Sequence, residues 1–197
     1  MIHSGNELIN PWKTLERAGL ERGMLVADLG CGSLGHFVFP AAQMVGGDGR
    51  VYAVDIDKAA LKRIEHTAKQ EQFWNVIPIW GDIEVQNAIR VHDASLDLTI
   101  VANNLYLSSN RDGLVAEAVR LTKPGGHILL IEWLACETVI GPPEHKRLAP
   151  DRAKDIFLCP DLTLVDEFQP GDCHYALVYK RSDVREPIVE SMNPAEF

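Results

Sequence analysis

The stretch Val26-Ala27-Asp28-Leu29-Gly30-Cys31-Gly32-Ser33-Leu34-Gly35 carries the reading of the fold. A continuous apolar run from Met24 to Ala27 ends in Asp28-Leu29-Gly30, glycines recur at 32 and 35, and helical spacing then begins at Phe37, Ala41, Met44 and Val45. Glycine lets the backbone turn sharply and lets a ligand approach without a Cβ in the way, while the helix behind it offers free amides and the positive end of its dipole. This is a strand, a glycine-rich turn and a helix, a unit suited to a nucleotide-like ligand.

Working outward, apolar runs recur at Val51 to Val54, Val76 to Trp80, Leu96 to Ala102 and Ile128 to Ile131. Continuous runs, as opposed to alternating ones, imply strands covered on both faces, the pattern of a parallel sheet. Leu61, Ile64 and Ala68, then Leu114, Ala118 and Leu121, keep helical spacing between them, so strand and helix alternate. Asn10 before Pro11 predicts a leading helix over 10–22, Pro40 suits the first turn of its helix, and Asp57 is the N-cap expected for the next. Lys123-Pro124-Gly125-Gly126 turns the chain into the fifth strand. An irregular stretch from Glu137 to Pro150, a short helix from about Asp151 and a hairpin joined by Gln169-Pro170-Gly171-Asp172 follow. That connection is too short for a parallel crossover, so the sheet is expected to finish antiparallel. We therefore expect one domain over residues 1–181 and an acidic tail over 182–197.

At 197 residues the chain fits one domain of the usual roughly 100–200 residues. Its net charge is −9 and its pI about 5.2, which offers no overall positive field to nucleic acid or anionic lipid. The four cysteines, Cys31, Cys136, Cys159 and Cys173, form no CxxC pair and no zinc-spaced cluster. Neither a disulfide framework nor a metal site is expected, and a reducing cytoplasm fits best. The start of the chain has no basic-then-apolar leader, and the longest apolar run, broken by Glu132, falls short of the roughly 20 residues that span a membrane. A homodimer is left open.

Roughly 20 residues beyond the glycine turn, Asp55 closes the second strand, where a carboxylate accepts both ribose hydroxyls of a nucleoside. Gly30-x-Gly32-x-x-Gly35 alone also matches a dinucleotide fingerprint. Asp28 argues otherwise, because a carboxylate beside the turn repels a pyrophosphate and favours a ligand with a cationic amino group. Gly81-Asp82-Ile83 adds a third carboxylate at the sheet's carboxyl edge, placed for an adenine amino group. A closing hairpin is also unusual for nicotinamide-binding domains.

With these pieces in place, the chain resembles the class I S-adenosylmethionine-dependent methyltransferases over about Gly23 to Lys180. VADLGCGSLG, VYAVDID, GDIE, LDLTIVANNL and KPGGHILLIEW stand in the family's order and spacing. The resemblance implies an α/β, Rossmann-like fold with a seven-stranded, mostly parallel sheet ordered 3-2-1-4-5-7-6, strand seven antiparallel and helices on both faces. Strand three would then be an edge, the place where Pro78 is tolerated. It also implies S-adenosylmethionine as cofactor: Asp28 and the turn (Gly30, Cys31, Gly32, Gly35) at its methionine part, Asp55 at the ribose, Ile56 packing on adenine, Asp82 with Ile83 at the adenine amino group, and Asn103 lining the sulfonium side. The family usually places its third glycine two residues after the second, whereas here Leu34 intervenes.

Substrate contacts are expected on the segment after strand five, at His145 and Arg147, with Tyr106 and Trp133 as further candidates; no catalytic residue and no metal ligand is evident. Several of these residues have simpler readings. Asp82 serves equally as a turn residue, Asn103 and Asn104 as partners for backbone groups at a strand end, His36 as a helix-start residue, and Tyr106, Trp133, His174 and Tyr175 as core. The sequence reading is a methyltransferase acting on a small-molecule acceptor. Nucleic acid is disfavoured as a substrate, since no Asn/Asp-Pro-Pro-Tyr/Phe motif follows strand four. The alternatives are an NAD(P)-dependent oxidoreductase and a non-catalytic cofactor-binding partner protein.

Overall fold

A computed structural model describes residues 9–136, 138 and 141–183. The elements in order are α1 (Pro11–Arg17), β1 (Leu25–Leu29), α2 (Val38–Val45), β2 (Arg50–Asp55), α3 (Lys58–Gln70), β3 (Val76–Trp80), β4 (Leu96–Ala102), α4 (Arg111–Leu121), β5 (Thr122–Trp133), a 3-10 turn (Glu144–Lys146), α5 (Pro150–Ile156), β6 (Leu162–Gly171) and β7 (His174–Arg181). The strands form one sheet ordered β3-β2-β1-β4-β5-β7-β6. The pairs from β3 to β5 are parallel, and β7 is antiparallel to both neighbours. The expected order, the antiparallel last strand and the edge position of Pro78 are all present.

Side chains along each central strand alternate between two cores. Val26, Ile100, Leu129 and Ile131 join the core beneath α1, α2 and α3, whereas Ala27, Leu29, Val101, Ile128 and Leu130 join the one beneath α4 and α5. Both faces are thus dry, which is why the strand sequences read as unbroken apolar runs. The caps follow the sequence: Asn10 accepts from Lys13 N at 3.1 Å, and Asp57 accepts from Ala59 N at 2.7 Å to start α3. Glu117, fully buried on α4, accepts from the backbone of Asn87 and Ile89 and pairs with Arg120 at 2.6 Å, which anchors the connection between β3 and β4.

Three expectations need correction. The leading helix ends at Arg17 instead of reaching residue 22, because Gly19 takes a left-handed φ of 82° and turns the chain out of the helix. The hairpin strands are longer than expected: β6 runs through Pro170 to Gly171, leaving Asp172 and Cys173 as the turn, and Pro170 is accommodated because β6 is an edge. Most consequentially, Cys136 and Cys173 form a disulfide, while Cys31 and Cys159 are free. The pair is 37 residues apart and meets only because Trp133 lies opposite His174 in the antiparallel β5–β7 register. The tail expected over 182–197 falls, after Asp183, outside the described residues. No described helix is long and apolar enough to cross a membrane.

Candidate functional site

The carboxyl ends of the parallel strands converge on a cavity of about 220 Å³. The tip of β1 and its turn supply Asp28, Gly30 and Cys31; the start of α2 supplies Leu34, His36 and Phe37; the tips of β4 and β5 supply Ala102, Asn103 and Trp133; and β7 and the leading segment add His174 and Ile9. A topological crevice outside strand carboxyl ends is where open α/β sheets place ligands.

The turn is built from its glycines. Gly30, Gly32 and Gly35 have φ of 75°, 64° and 60°, a left-handed region unfavourable to residues with a Cβ. Their surroundings differ. A Cβ on Gly30 would lie 2.5 Å from the Asn104 amide, and one on Gly35 would lie 2.7 Å from the Phe39 ring, whereas one on Gly32 would meet nothing within 4 Å. Gly30 and Gly35 therefore serve packing, while Gly32 keeps space open. The turn's amides are already engaged: Gly30 N and Cys31 N donate to Val54 O at 2.8 and 3.0 Å, and Gly32 N donates to Asp55 Oδ2 at 2.9 Å.

Asp28 is 2% exposed. Its carboxyl receives no hydrogen bond among the described residues, yet it borders the cavity. Burial, reinforced by the nearby Asp55 charge, pushes its pKa up to about 7. The neighbouring Cys31 thiol is likewise pushed up, by burial and then by Asp28 and Asp55. Asp55 is half-buried, and its other oxygen accepts from Asp57 N at 2.8 Å, so each carboxylate oxygen holds one backbone amide and keeps acceptor capacity for a further donor. Ile56 lies 60% exposed beside it, its carbonyl accepting from Trp80 Nε1 at 3.0 Å. Asp82 takes the turn role anticipated as its simpler reading, accepting from Glu84 N at 2.9 Å. Ile83 packs on the core beneath α4.

Asn103 and Asn104 divide the two roles the sequence left open. The Asn104 amide donates to Leu29 O, Gly30 O and Ala102 O within 3.0 Å, tying the β4 tip to the glycine turn. Asn103 is different. It adopts φ 57°, its backbone N donates to Ile131 O, and its Oδ1 is buried without a partner among the described residues.

The substrate candidates separate. Trp133 is on the cavity wall, its ring 4.0 Å from that of His174. Tyr106 packs on the core beneath α4, and its backbone N donates to Glu132. His145 is exposed on the 3-10 turn and does not line the cavity. Arg147 turns onto the chain: Nε donates to Pro142 O at 3.0 Å and Nη1 to Leu134 O and Cys136 O at 2.8 and 2.7 Å, with the guanidinium 5.7 Å from the Trp133 ring. It braces the wall from behind.

Sequence reasoning underrated two buried polar residues. His174, 1% exposed, has an unpartnered Nδ1, and burial together with His36 and Arg147 lowers its pKa to about 4. Glu132 has an unpartnered Oε2 and a pKa raised to about 7 by burial; it accepts from Tyr106 N and steadies the loop after β4. The available signal was a polar residue interrupting an apolar strand. Among the described residues, no group of three or more His, Cys, Asp or Glu is arranged to hold a metal.

Comparisons with known proteins agree with this geometry. A family model described as a methyltransferase domain matches residues 20–151. The arsenite methyltransferase of Aquipseudomonas alcaligenes is 34% identical over 110 residues, covering 54% of this chain and 32% of that protein. A ubiquinone/menaquinone biosynthesis C-methyltransferase of Shewanella pealeana is 31% identical over 125 residues, covering 62% of this chain and 48% of that protein. The chain thus spans about half or less of these relatives. The crystal structure of a SAM-dependent methyltransferase from Aquifex aeolicus superposes with a TM-score of 0.82 at 23% identity, covering 89% of this chain and 92% of that one, and so shares the fold. On the match of the family model to most of its length, the chain belongs to the class I S-adenosylmethionine-dependent methyltransferases.

Proposed function

We propose that the chain binds S-adenosylmethionine along the tips of β1, β2 and β3 and transfers its methyl group to a small-molecule acceptor. The observation that carries this is the Asp28 carboxyl, buried at the β1 tip, open to the cavity and without a hydrogen-bond donor among the described residues. Such a group calls for a cationic ligand, and the ammonium of an adenosyl amino acid is one. The open space beside Gly32 fits the same ligand. In this reading Gly30, Cys31, Gly32 and Gly35 shape the cradle, Asp55 accepts from the ribose hydroxyls with its remaining lone pairs, Ile56 packs on the adenine, Asp82 and Ile83 meet the adenine edge, and Asn103 lines the sulfonium side.

The bound cofactor supplies a methyl group already activated by its sulfonium. The protein's part is to hold the acceptor in line and to exclude water. Ile9, Phe37 and Trp133 provide a dry wall for this, and His174 beside it is a weak base, because burial lowers its pKa to about 4.

A dinucleotide reading is disfavoured twice over: the amides of Gly30, Cys31 and Gly32 already have partners within the protein, and the Asp28 charge opposes a pyrophosphate. One relative is named for arsenite and another for ubiquinone/menaquinone biosynthesis, which fits a small-molecule acceptor. Calorimetric titration with S-adenosylmethionine, S-adenosylhomocysteine and NADH tests the reading, alongside label transfer from methyl-labelled cofactor into a metabolite extract. Binding of the two adenosyl compounds with transfer of label is expected. Tight NADH binding without them overturns the proposal, and binding without transfer reduces the chain to a non-catalytic partner.

A further inference from the structure

We propose that Asn103 and His174, set against Trp133, form the acceptor subsite and select an uncharged, hydroxyl-bearing aromatic ring over an anionic or cationic one; this rests on the methyltransferase reading above. Asn103 sits just past β4 with left-handed backbone, a conformation asparagine tolerates better than most residues with a Cβ. Ordering here comes from its backbone bond to Ile131 O. His174 enters from β7, opposite Trp133 in the β5–β7 register, with the two rings 4.0 Å apart at an angle of 44°.

The polar atoms of this pair are poorly matched to each other. Asn103 Nδ2 lies 3.5 Å from His174 Nε2, the long limit of a hydrogen bond. Asn103 Oδ1 and His174 Nδ1 have no partner among the described residues. Buried polar atoms are ordinarily paired, and exceptions beside a cavity mark places that a ligand completes. Asn103 Oδ1 can only accept, so the ligand must donate from O–H or N–H. A hydroxyl also accepts, which lets it meet His174 Nδ1 in either imidazole tautomer. A carboxylate, which only accepts, would leave Asn103 Oδ1 unpaired.

Charge on the wall points the same way. The groups facing His174 are His36 from the start of α2, Arg147 from the segment after β5, Asn103 and Trp133. Burial lowers the pKa of both histidines, leaving them neutral near pH 7. Arg147 lies across Trp133 with Nε and Nη1 on backbone carbonyls, and it is not on the cavity lining. Among the described residues, the cavity lining thus offers no cation to an anionic acceptor. Among the described residues, Asp28 is the one carboxylate on the lining, at the β1 tip with Gly30 and Cys31, and it is assigned to the cofactor ammonium. The remaining surface, Ile9, Phe37 and Trp133, suits an aromatic ring, which gains from offset or edge contacts with the tryptophan.

The test is calorimetry near neutral pH on protein saturated with S-adenosylhomocysteine, using three single-ring probes that differ in charge: hydroquinone, benzoate and benzylammonium. Hydroquinone is expected to bind about tenfold or more tightly than the other two. His174→Phe keeps a ring against Trp133 but removes both nitrogens, and is expected to weaken hydroquinone by about tenfold while leaving S-adenosylhomocysteine affinity unchanged. Benzoate or benzylammonium binding as tightly as hydroquinone overturns the proposal, as does wild-type hydroquinone affinity in folded His174→Phe; the comparison of probes on the wild-type protein stands even if the variant does not fold. Failure of S-adenosylhomocysteine to bind refutes the methyltransferase reading itself, whereas hydroquinone failing to bind the loaded protein refutes this subsite alone.

Discussion

Replacing Asp28 by asparagine probes the group to which the proposed function assigns the cofactor's ammonium. Burial raises the Asp28 pKa in the folded protein to about 7, from an ordinary carboxylate value of 3.8. A cationic amino group binds the ionised carboxylate, so affinity for S-adenosylhomocysteine should fall as pH drops through the folded pKa. With a pKa of about 7, the ionised fraction is about 0.9 at about pH 8 and about 0.03 at about pH 5.5, a ratio of about 30, or about 2 kcal/mol. Asp28→Asn should bind more weakly at the upper pH, by about tenfold or more through loss of a charged hydrogen bond, and its affinity should vary little over the range.

Stability moves in the opposite sense. A carboxyl whose pKa is raised by folding destabilises the native state only above its unfolded pKa, and the penalty is complete above the folded one. The ligand-free variant should therefore gain stability relative to the wild type as pH rises from about 4 to about 7, by at most about 4 kcal/mol. Glu132 also has a pKa near 7 and titrates in the same window; it is common to both proteins and cancels in the difference. Calorimetric titrations and urea unfolding across this range measure both effects. Wild-type affinity independent of pH, or undiminished affinity in Asp28→Asn, would refute the reasoning.

Other substitutions separate folding from binding. Gly32→Ala places its Cβ in open space at positive φ, so urea unfolding should show a loss of only about 1 kcal/mol, with a marked loss of S-adenosylhomocysteine affinity by calorimetry. Gly35→Ala drives its Cβ into Phe39 and Ile64; it should lose about 2–4 kcal/mol from backbone strain and overpacking together, measured by the same unfolding. Glu117→Ala leaves Arg120 without its buried partner and frees the backbone of Asn87 and Ile89, and a fall of about 3–5 kcal/mol is expected in chemical denaturation. Reducing Cys136–Cys173 releases a 37-residue separation in the unfolded chain, which chain-entropy arguments put at about 4 kcal/mol; comparing Tm with and without reductant checks this.

Much of this protein was legible in its sequence, because the relevant physics is local. A strand covered on both faces must be apolar at every position, so β1, β2, β4 and the central part of β5 could be read from their runs. A turn with left-handed residues favours glycine, and a strand tip at the ligand edge can carry a carboxylate, so Gly30, Gly32, Gly35, Asp28 and Asp55 could be named in advance. Tertiary structure alone decided which polar groups are left unmatched. His174 meets Trp133, and Cys136 meets Cys173, through an antiparallel pairing of β5 with β7 whose register no local spacing encodes. The same long-range packing turns Arg147 onto carbonyls behind the site and leaves Asn103 Oδ1 and His174 Nδ1 without partners among the described residues. Hydrophobic periodicity reports that a residue is buried; whether a buried polar atom finds a partner depends on what distant strands bring beside it.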